Sequence, residues 1–462
     1  MRRGAPPYAS RSTPYASQGS IVIDLEQTRH RIGLWGWVVI AMWLVACNRQ
    51  SSQLPETVIP STPSALTGGG IVQPEHIDMR FDSAANTVIL SGNGTLTLPE
   101  LTAQLKSAPA PTPVLTETVK GEWLLSANLQ IGPGVTLKIG GPDVRWLKLR
   151  SDAGGFVSIK ALGGGLMIVE TKITSWDAAA NDVDVSLEDG RSFVLARSGG
   201  RMDIRKSELS YLGYEANESY GAAWRMPGTT GSAEDSVFAE NFYGLYLHEA
   251  SDVIIRGNTV RDNVRYGIDP HSRSNRLLIE NNTVYGNGKQ GIILAEGCSD
   301  SVIRGNTVYS NSMHGIVIFN DSNNNLIEKN VSYGNALQGI NIKNSISNTV
   351  RGNLVYENTE SGIGLGENAR NNLITGNTVR DNREHGIYVY SAASGNQIGA
   401  NEVYGNAQNG IYIKSEGNVL LAGNTVYGNT IGVYLRVPQT DSSFRDTNKI
   451  YDNREEDVRV KP

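Results

Sequence analysis

An all-β solenoid, wound as a parallel β-helix with 23–24-residue coils, is the fold class this 462-residue chain predicts. Three columns of residues carry that prediction. Asn258, Asn282, Asn306, Asn330, Asn353, Asn377, Asn401 and Asn424 recur every 23 or 24 residues. Asn263, Asn287, Asn311, Asn335, Asn358, Asn382, Asn406 and Asn429 each follow five positions later. Every unit then reaches a glycine and an aliphatic residue, from Gly267-Ile268 to Gly432-Val433. A fixed period in this range marks a stacked repeat.

Residues 1–46 read as an N-terminal extension and an export signal. Arg29-His30-Arg31 forms a basic flank, Ile32 to Ala46 an apolar run, and Ala46 a small residue before cleavage. Fifteen apolar positions are few for a membrane span. Leu44-Val45-Ala46-Cys47 resembles a bacterial lipobox, which makes Cys47 the lipidation site and the mature N-terminus; a chance Cys after a plain signal peptide is the alternative. Residues 47–75 are rich in Ser, Thr, Pro and Gly, as in Ser61-Thr62-Pro63-Ser64 and Gly68-Gly69-Gly70, and read as a flexible tether. The expectation is an exported, membrane-anchored lipoprotein on the periplasmic or cell-surface side, acting as a monomer. With Cys47 modified, Cys298 has no disulfide partner and is expected to be inert.

Residues 76–115 form an N-terminal segment or cap, and residues 116–455 the β-helix catalytic domain. At this period the latter makes roughly fourteen coils and a rod of about 65 Å. One coil reads Gly-Asn-x-Val-Tyr-x-Asn, a few variable residues, then Gly-Ile-x-Ile. Val284 with Ile292 and Leu294, or Val308 with Ile316 and Ile318, alternate as short strands do. Stacked in register, the asparagine amides can use donor and acceptor on neighbouring coils, so these columns read as structural. Tyr285, Tyr309, Tyr333, Tyr356, Tyr404 and Tyr427 likewise read as a stacked row rather than a sugar platform.

Forty-one basic and 46 acidic residues give a net charge of −5, which argues against a nucleic-acid partner. A polyanionic ligand would need a local basic strip.

Alignment on the repeat glycine places residues one and three positions after it inward, and those two and four after it outward. Asp269 and His271 share the outward face of one coil, with His248 on the coil before. The position before the glycine carries Tyr266, His314 and His385. Tyr266, Asp269, His271 and His314 thus fall on one strip, close enough to surround a single sugar ring. His385 lies three coils further on and is expected at the surface. His and Asp also suit a metal, but no tight ligand cluster supports one, and no metal is expected.

Tyr266-Gly267-Ile268-Asp269-Pro270-His271 resembles the Tyr-Gly-Ile/Phe-Asp-Pro-His signature of the mannuronan (alginate) C5-epimerases. His314-Gly315 is similar to their second His-Gly, and Trp123 to Asp177 and Ser219-Tyr220-Gly221 resemble the periplasmic branch of that family. The resemblance covers roughly residues 116–435. It implies a right-handed β-helix that inverts C5 of mannuronate residues in a polyuronate by proton abstraction and reprotonation, with no cofactor. It also implies Tyr266 and His314 as the acid/base pair, and Asp269 and His271 at the substrate carboxylate. Arg265, Lys289, Lys343 and His248 are candidate substrate-binding groups. Three departures stand out: Ser272 where the periplasmic enzymes have an acid, Gly288-Lys289-Gln290 where they are Lys-rich, and Met313 where the extracellular enzymes have Arg. A polysaccharide lyase on the same scaffold shares the first proton abstraction and stays open, as does a non-catalytic carbohydrate-binding lipoprotein.

Overall fold

The computed structural model describes residues 75–105, 113–436 and 443–461. The expected export signal, the tether up to residue 74 and Cys47 lie outside the described residues. Those described build a parallel β-solenoid of about 14 turns with ~24-residue coils. A coil contributes three short strands, such as Ile268–His271, Leu278–Glu280 and Thr283–Tyr285. Each pairs in parallel with its equivalent on the next coil: Ile268 with Ile292, Leu278 with Val302 and Thr283 with Thr307. The register runs on through Ile316, Ile340 and Ile363. Inward side chains such as Ile279, Val284, Ile303 and Val308 are completely buried and belong to one continuous apolar core. Each removes enough apolar area from water to contribute about 1.5–3 kcal/mol.

The N-terminal end of that core is closed by a hairpin, His76–Asp82 with Thr87–Thr97, and a helix, Leu98–Leu105. Thr97 and Glu100 form a capping box. The Thr97 amide donates to the Glu100 carboxylate at 2.7 Å, and the Glu100 amide to Thr97 Oγ1 at 3.5 Å. Leu98, Leu101 and Leu105 point from the helix into the core. Among the described residues no helix is long and apolar enough to cross a membrane.

The asparagine columns form two ladders of buried amides. Asn282 Nδ2 donates to Asn306 Oδ1 at 2.9 Å and to the Ile255 carbonyl at 2.9 Å, while the Asn282 backbone amide donates to the same Asn306 oxygen at 2.9 Å. The pattern repeats coil by coil from Asn258 to Asn448. The second ladder runs from Asn263 to Asn453. A third, Asn325, Asn348, Asn372 and Asn396, was not singled out in the sequence because serines replace it upstream, where Ser301 Oγ accepts from the Leu277 amide at 3.0 Å. The repeat glycine exists for this packing rather than for backbone freedom. A Cβ at Gly291 would stand 2.4 Å from Val308 Cγ1 and 2.8 Å from Asn311 Nδ2.

The tyrosine column stacks as expected: Tyr285, Tyr309, Tyr333 and Tyr356 lie 4.9–5.0 Å apart. Arg380 then takes the column's place over Tyr356. His385 contradicts its expected surface position, being only 7% exposed. Tyr388 and Tyr412 pack against its ring, and its Nδ1 accepts the Asn409 backbone amide at 3.3 Å. The column before the repeat glycine is a wall, not a rim.

Asn306→Ala strips the acceptor from two buried donors on Asn282. It should cost about 2–5 kcal/mol in denaturant unfolding, against no more than ~0.5 kcal/mol for the exposed Thr359→Ala.

Candidate active site

Five consecutive strands of one ladder, Tyr243–His248, Ile268–His271, Ile292–Ala295, Ile316–Phe319 and Ile340–Lys343, carry the outward strip. Their outer faces line a groove of about 470 Å³. Tyr266, Asp269, His271, His314 and Lys343 all line it, whereas His248, Arg265 and Lys289 do not. His248 instead packs its ring parallel to that of His271, 6.5 Å away, with Nδ1 3.3 Å from the Tyr246 hydroxyl.

The strip was expected to be exposed; its floor is not. Asp269 is only 2% exposed, next to the equally sheltered Ile293 and Val317, because Tyr243, Tyr246 and Tyr266 wall the groove beside it. Burial pushes the Asp269 carboxyl up to about 8; Glu296 acts in the same direction and Lys289 against it. At neutral pH Asp269 is therefore mostly a carboxylic acid, with Oδ1 lacking a protein partner. His314 goes the opposite way. Burial, with Lys343 nearby, holds its imidazole down at about 4, so it is neutral. His271 is also lowered by burial, and Glu296 opposes that shift.

Hydrogen bonds set opposite tautomers on the two histidines. The Gln338 backbone amide, which can only donate, bonds to His314 Nδ1 at 3.1 Å. Nδ1 therefore holds the lone pair and Nε2 the proton. At His271 the order is reversed. Ser272 donates its hydroxyl proton to Glu296 Oε2 at 3.1 Å, and its oxygen lies 2.8 Å from His271 Nδ1. With the Ser272 proton spent on the carboxylate, Nδ1 must donate, which leaves the Nε2 lone pair of His271 free to accept. One imidazole in the groove is an acceptor and the other a donor.

Glu296 was missed by sequence reasoning. Its signal was arithmetic: it follows Ser272 by 24 residues, so it occupies the same corner one coil on. Both residues sit at a left-handed turn, with φ of 45° and 59°. The carboxylate absent beside His271 in sequence is thus supplied by the next coil. Gln290, Asn341 and Tyr220 also line the groove.

The expected basic strip is largely paired off. Arg265 makes two contacts with Glu215, at 2.9 and 3.1 Å, and Lys343 one with Glu367 at 2.7 Å. Lys289 Nζ lies 3.5 Å from the Tyr266 hydroxyl. Among the described residues no group of three or more His, Cys, Asp or Glu side chains could hold a metal. Cys298 is buried, donates to the Ala295 carbonyl at 3.1 Å, and has a thiol pushed up to about 12 by burial.

Comparison with known proteins agrees with this architecture. The chain is 30% identical over 309 residues to the mannuronan C5-epimerase AlgG of Azotobacter vinelandii, a match that takes in 64% of this chain and 57% of that protein. It is 35% identical over 199 residues to a mannuronan C5-epimerase of Pseudomonas fluorescens, covering 40% of this chain and 37% of that one. The chain thus spans little more than half the length of the first of these relatives and less of the second. Among solved structures it is similar to the periplasmic alginate epimerase AlgG, with a TM-score of 0.67 and 25% identity over 74% of this chain and 85% of that chain. The family described as the right-handed beta helix region matches residues 168–324, 243–403 and 373–461, well over half of the sequence, and the chain belongs to it.

Proposed function

We propose that this protein is a C5-epimerase acting on a mannuronate-containing polyuronate. The observation that carries the reading is the pair of opposed imidazoles beside a protonated Asp269 in one groove. H5 of a uronate is acidic only if the adjacent carboxylate can take up negative charge, which requires donors placed around its oxygens. His271 Nε2 abstracts H5, and the electron pair moves into the carboxylate to give an enediolate. His314 Nε2–H and the Asp269 carboxylic acid donate to its oxygens. A neutral acid suits this task because it adds no charge that must be desolvated. The Tyr266 hydroxyl then delivers a proton to C5 from the opposite face, and the Lys289 ammonium stabilises the resulting phenolate. Solvent returns the proton to Tyr266 and removes the one gained by His271. Relative to the roles the resemblance implies, the two histidines exchange places, because a His314 whose Nδ1 accepts a backbone amide has no lone pair at Nε2.

The similarity to named mannuronan C5-epimerases supports the substrate class. The Leu44-Val45-Ala46-Cys47 run supports an exported chain anchored at the membrane surface through a lipidated Cys47.

Proton NMR of polymannuronate incubated in D2O with the chain should reveal guluronate residues carrying deuterium at C5. His271→Ala and Tyr266→Phe should each slow their appearance at least ~100-fold. Unsaturated chain ends would instead make the protein a lyase, and an unchanged polymer would remove the proposal.

The kcat/KM profile should fall on the acid side as His271 protonates and on the alkaline side near pH 8 as Asp269 ionises. Glu296 raises the pKa of both His271 and Asp269, so Glu296→Gln should move both limbs to lower pH. An unmoved acid limb would exclude the Glu296–Ser272–His271 relay.

A further inference from the structure

The C-terminal end of the groove holds groups that the proposed proton transfers do not use. On the coil after Ile340–Lys343, both outward positions are glycines, Gly364 and Gly366. Neither has a left-handed backbone; what they provide is space. A Cβ on Gly364 would stand 2.2 Å from Gln338 Oε1, and one on Gly366 2.2 Å from the Tyr390 ring. Gln338 and Tyr390 therefore lean over this bare coil from either side. The Tyr390 hydroxyl is hydrogen-bonded to the Asn341 side chain, which holds the Asn341 amide in one orientation. The remaining acceptors are idle: Gln338 Oε1 and Asn341 Oδ1 have no protein partner, although the residues are only 5% and 2% exposed.

Idle buried acceptors are destabilising, and such groups are otherwise almost always paired. A fold that leaves Gly364 bare to accommodate Gln338, with the idle Asn341 acceptor on the same strip, is shaped for a ligand rich in donors. Lys343 stands beside them, its ammonium 6.0 Å from the Phe319 ring centre and held by Glu367 at 2.7 Å. Hydroxyl-accepting amides, a cation and an aromatic edge are together complementary to a uronate ring, which presents hydroxyl donors, one carboxylate and an apolar C–H face.

We propose that Gln338, Asn341 and Lys343, flanked by Phe319 and Tyr390, form a separate subsite for a uronate residue further along the polymer than the one being inverted. This rests on the epimerase reading for the identity of the polymer. Asn341 Oδ1 and Gln338 Oε1 accept hydroxyl protons of the sugar, and its carboxylate displaces Glu367 from Lys343. Asn341 lies two coils beyond Ile293, about 10 Å along the axis, so the polymer runs parallel to the stack. Tyr390 is a positioning residue that fixes the orientation of the Asn341 amide.

The test is calorimetric binding of a defined oligomannuronate to the full chain, with thermal unfolding of each variant alongside. Asn341→Leu keeps the volume and removes the idle acceptor. It should weaken binding about five- to tenfold while the unfolding midpoint falls no further than in Tyr390→Phe, which loses the same Asn341–Tyr390 hydrogen bond. Tyr390→Phe should weaken binding about threefold by freeing the amide. Unchanged affinity in Asn341→Leu would overturn the subsite, as would a midpoint well below that of Tyr390→Phe, which would mark the idle acceptor as structural. An unaltered chain that binds the oligomer without exchanging H5 would defeat the epimerase reading, and the affinities would still decide the subsite. An unaltered chain with no affinity would overturn both.

Discussion

Everything in this molecule depends on the register that the buried asparagine ladders enforce between coils. A parallel stack held only by backbone bonds and a greasy core could slip, since one aliphatic side chain packs much like another. An amide that must accept two protons from the coil before and donate to the coil after cannot slip without orphaning several buried groups at once. The repeat glycine protects the same arrangement, because any side chain there would collide with the amide of the next coil. Locked register keeps equivalent positions in line over many coils. A groove lined by chosen side chains can then be assembled from residues 24 apart in sequence.

The chemistry of the groove follows from how that alignment is roofed. An outward position on a β-helix ordinarily faces water, and an aspartate there would be ionised. Tyrosines packed along the wall, with Tyr220 tilted against Tyr243 at 4.9 Å and edge to face with Tyr246 at 4.7 Å, exclude water from Asp269 instead. Burial is the largest cause that moves the carboxyl into its acid form and the His314 imidazole into its neutral form. On the proposed function, an anionic sugar then meets neutral donors rather than like charges. Two cations beside the groove, Arg265 and Lys343, are already neutralised by Glu215 and Glu367. Attraction for a polyanion therefore relies on exchange of one carboxylate for another, as at Lys343.

Much of this was legible in the sequence. The period, the inward–outward alternation and the alignment of Tyr266, Asp269, His271 and His314 follow from counting residues. What counting could not reveal is what covers a position. Asp269 and His385 occupy outward or rim columns, yet aromatic neighbours from adjacent coils bury both. Pairing across distant segments was equally hidden, since Glu215 lies 50 residues before its partner Arg265. The third amide ladder escaped notice because serine performs the same bond upstream and breaks the visible column. Glu296 was within reach of the register arithmetic, but only once the Ser272 corner was recognised as a place where a side chain turns back toward His271.

The proposed proton transfer requires the two imidazoles to hold opposite protons, and that can be read directly. Two-bond nitrogen–proton correlation spectra of the histidine-labelled protein at neutral pH, assigned with His271→Gln and His314→Gln, report which ring nitrogen of each is protonated. The expected result is a protonated Nδ1 on His271 and a protonated Nε2 on His314. A His314 protonated at Nδ1, or a His271 protonated at Nε2, would contradict the proposed direction of proton transfer.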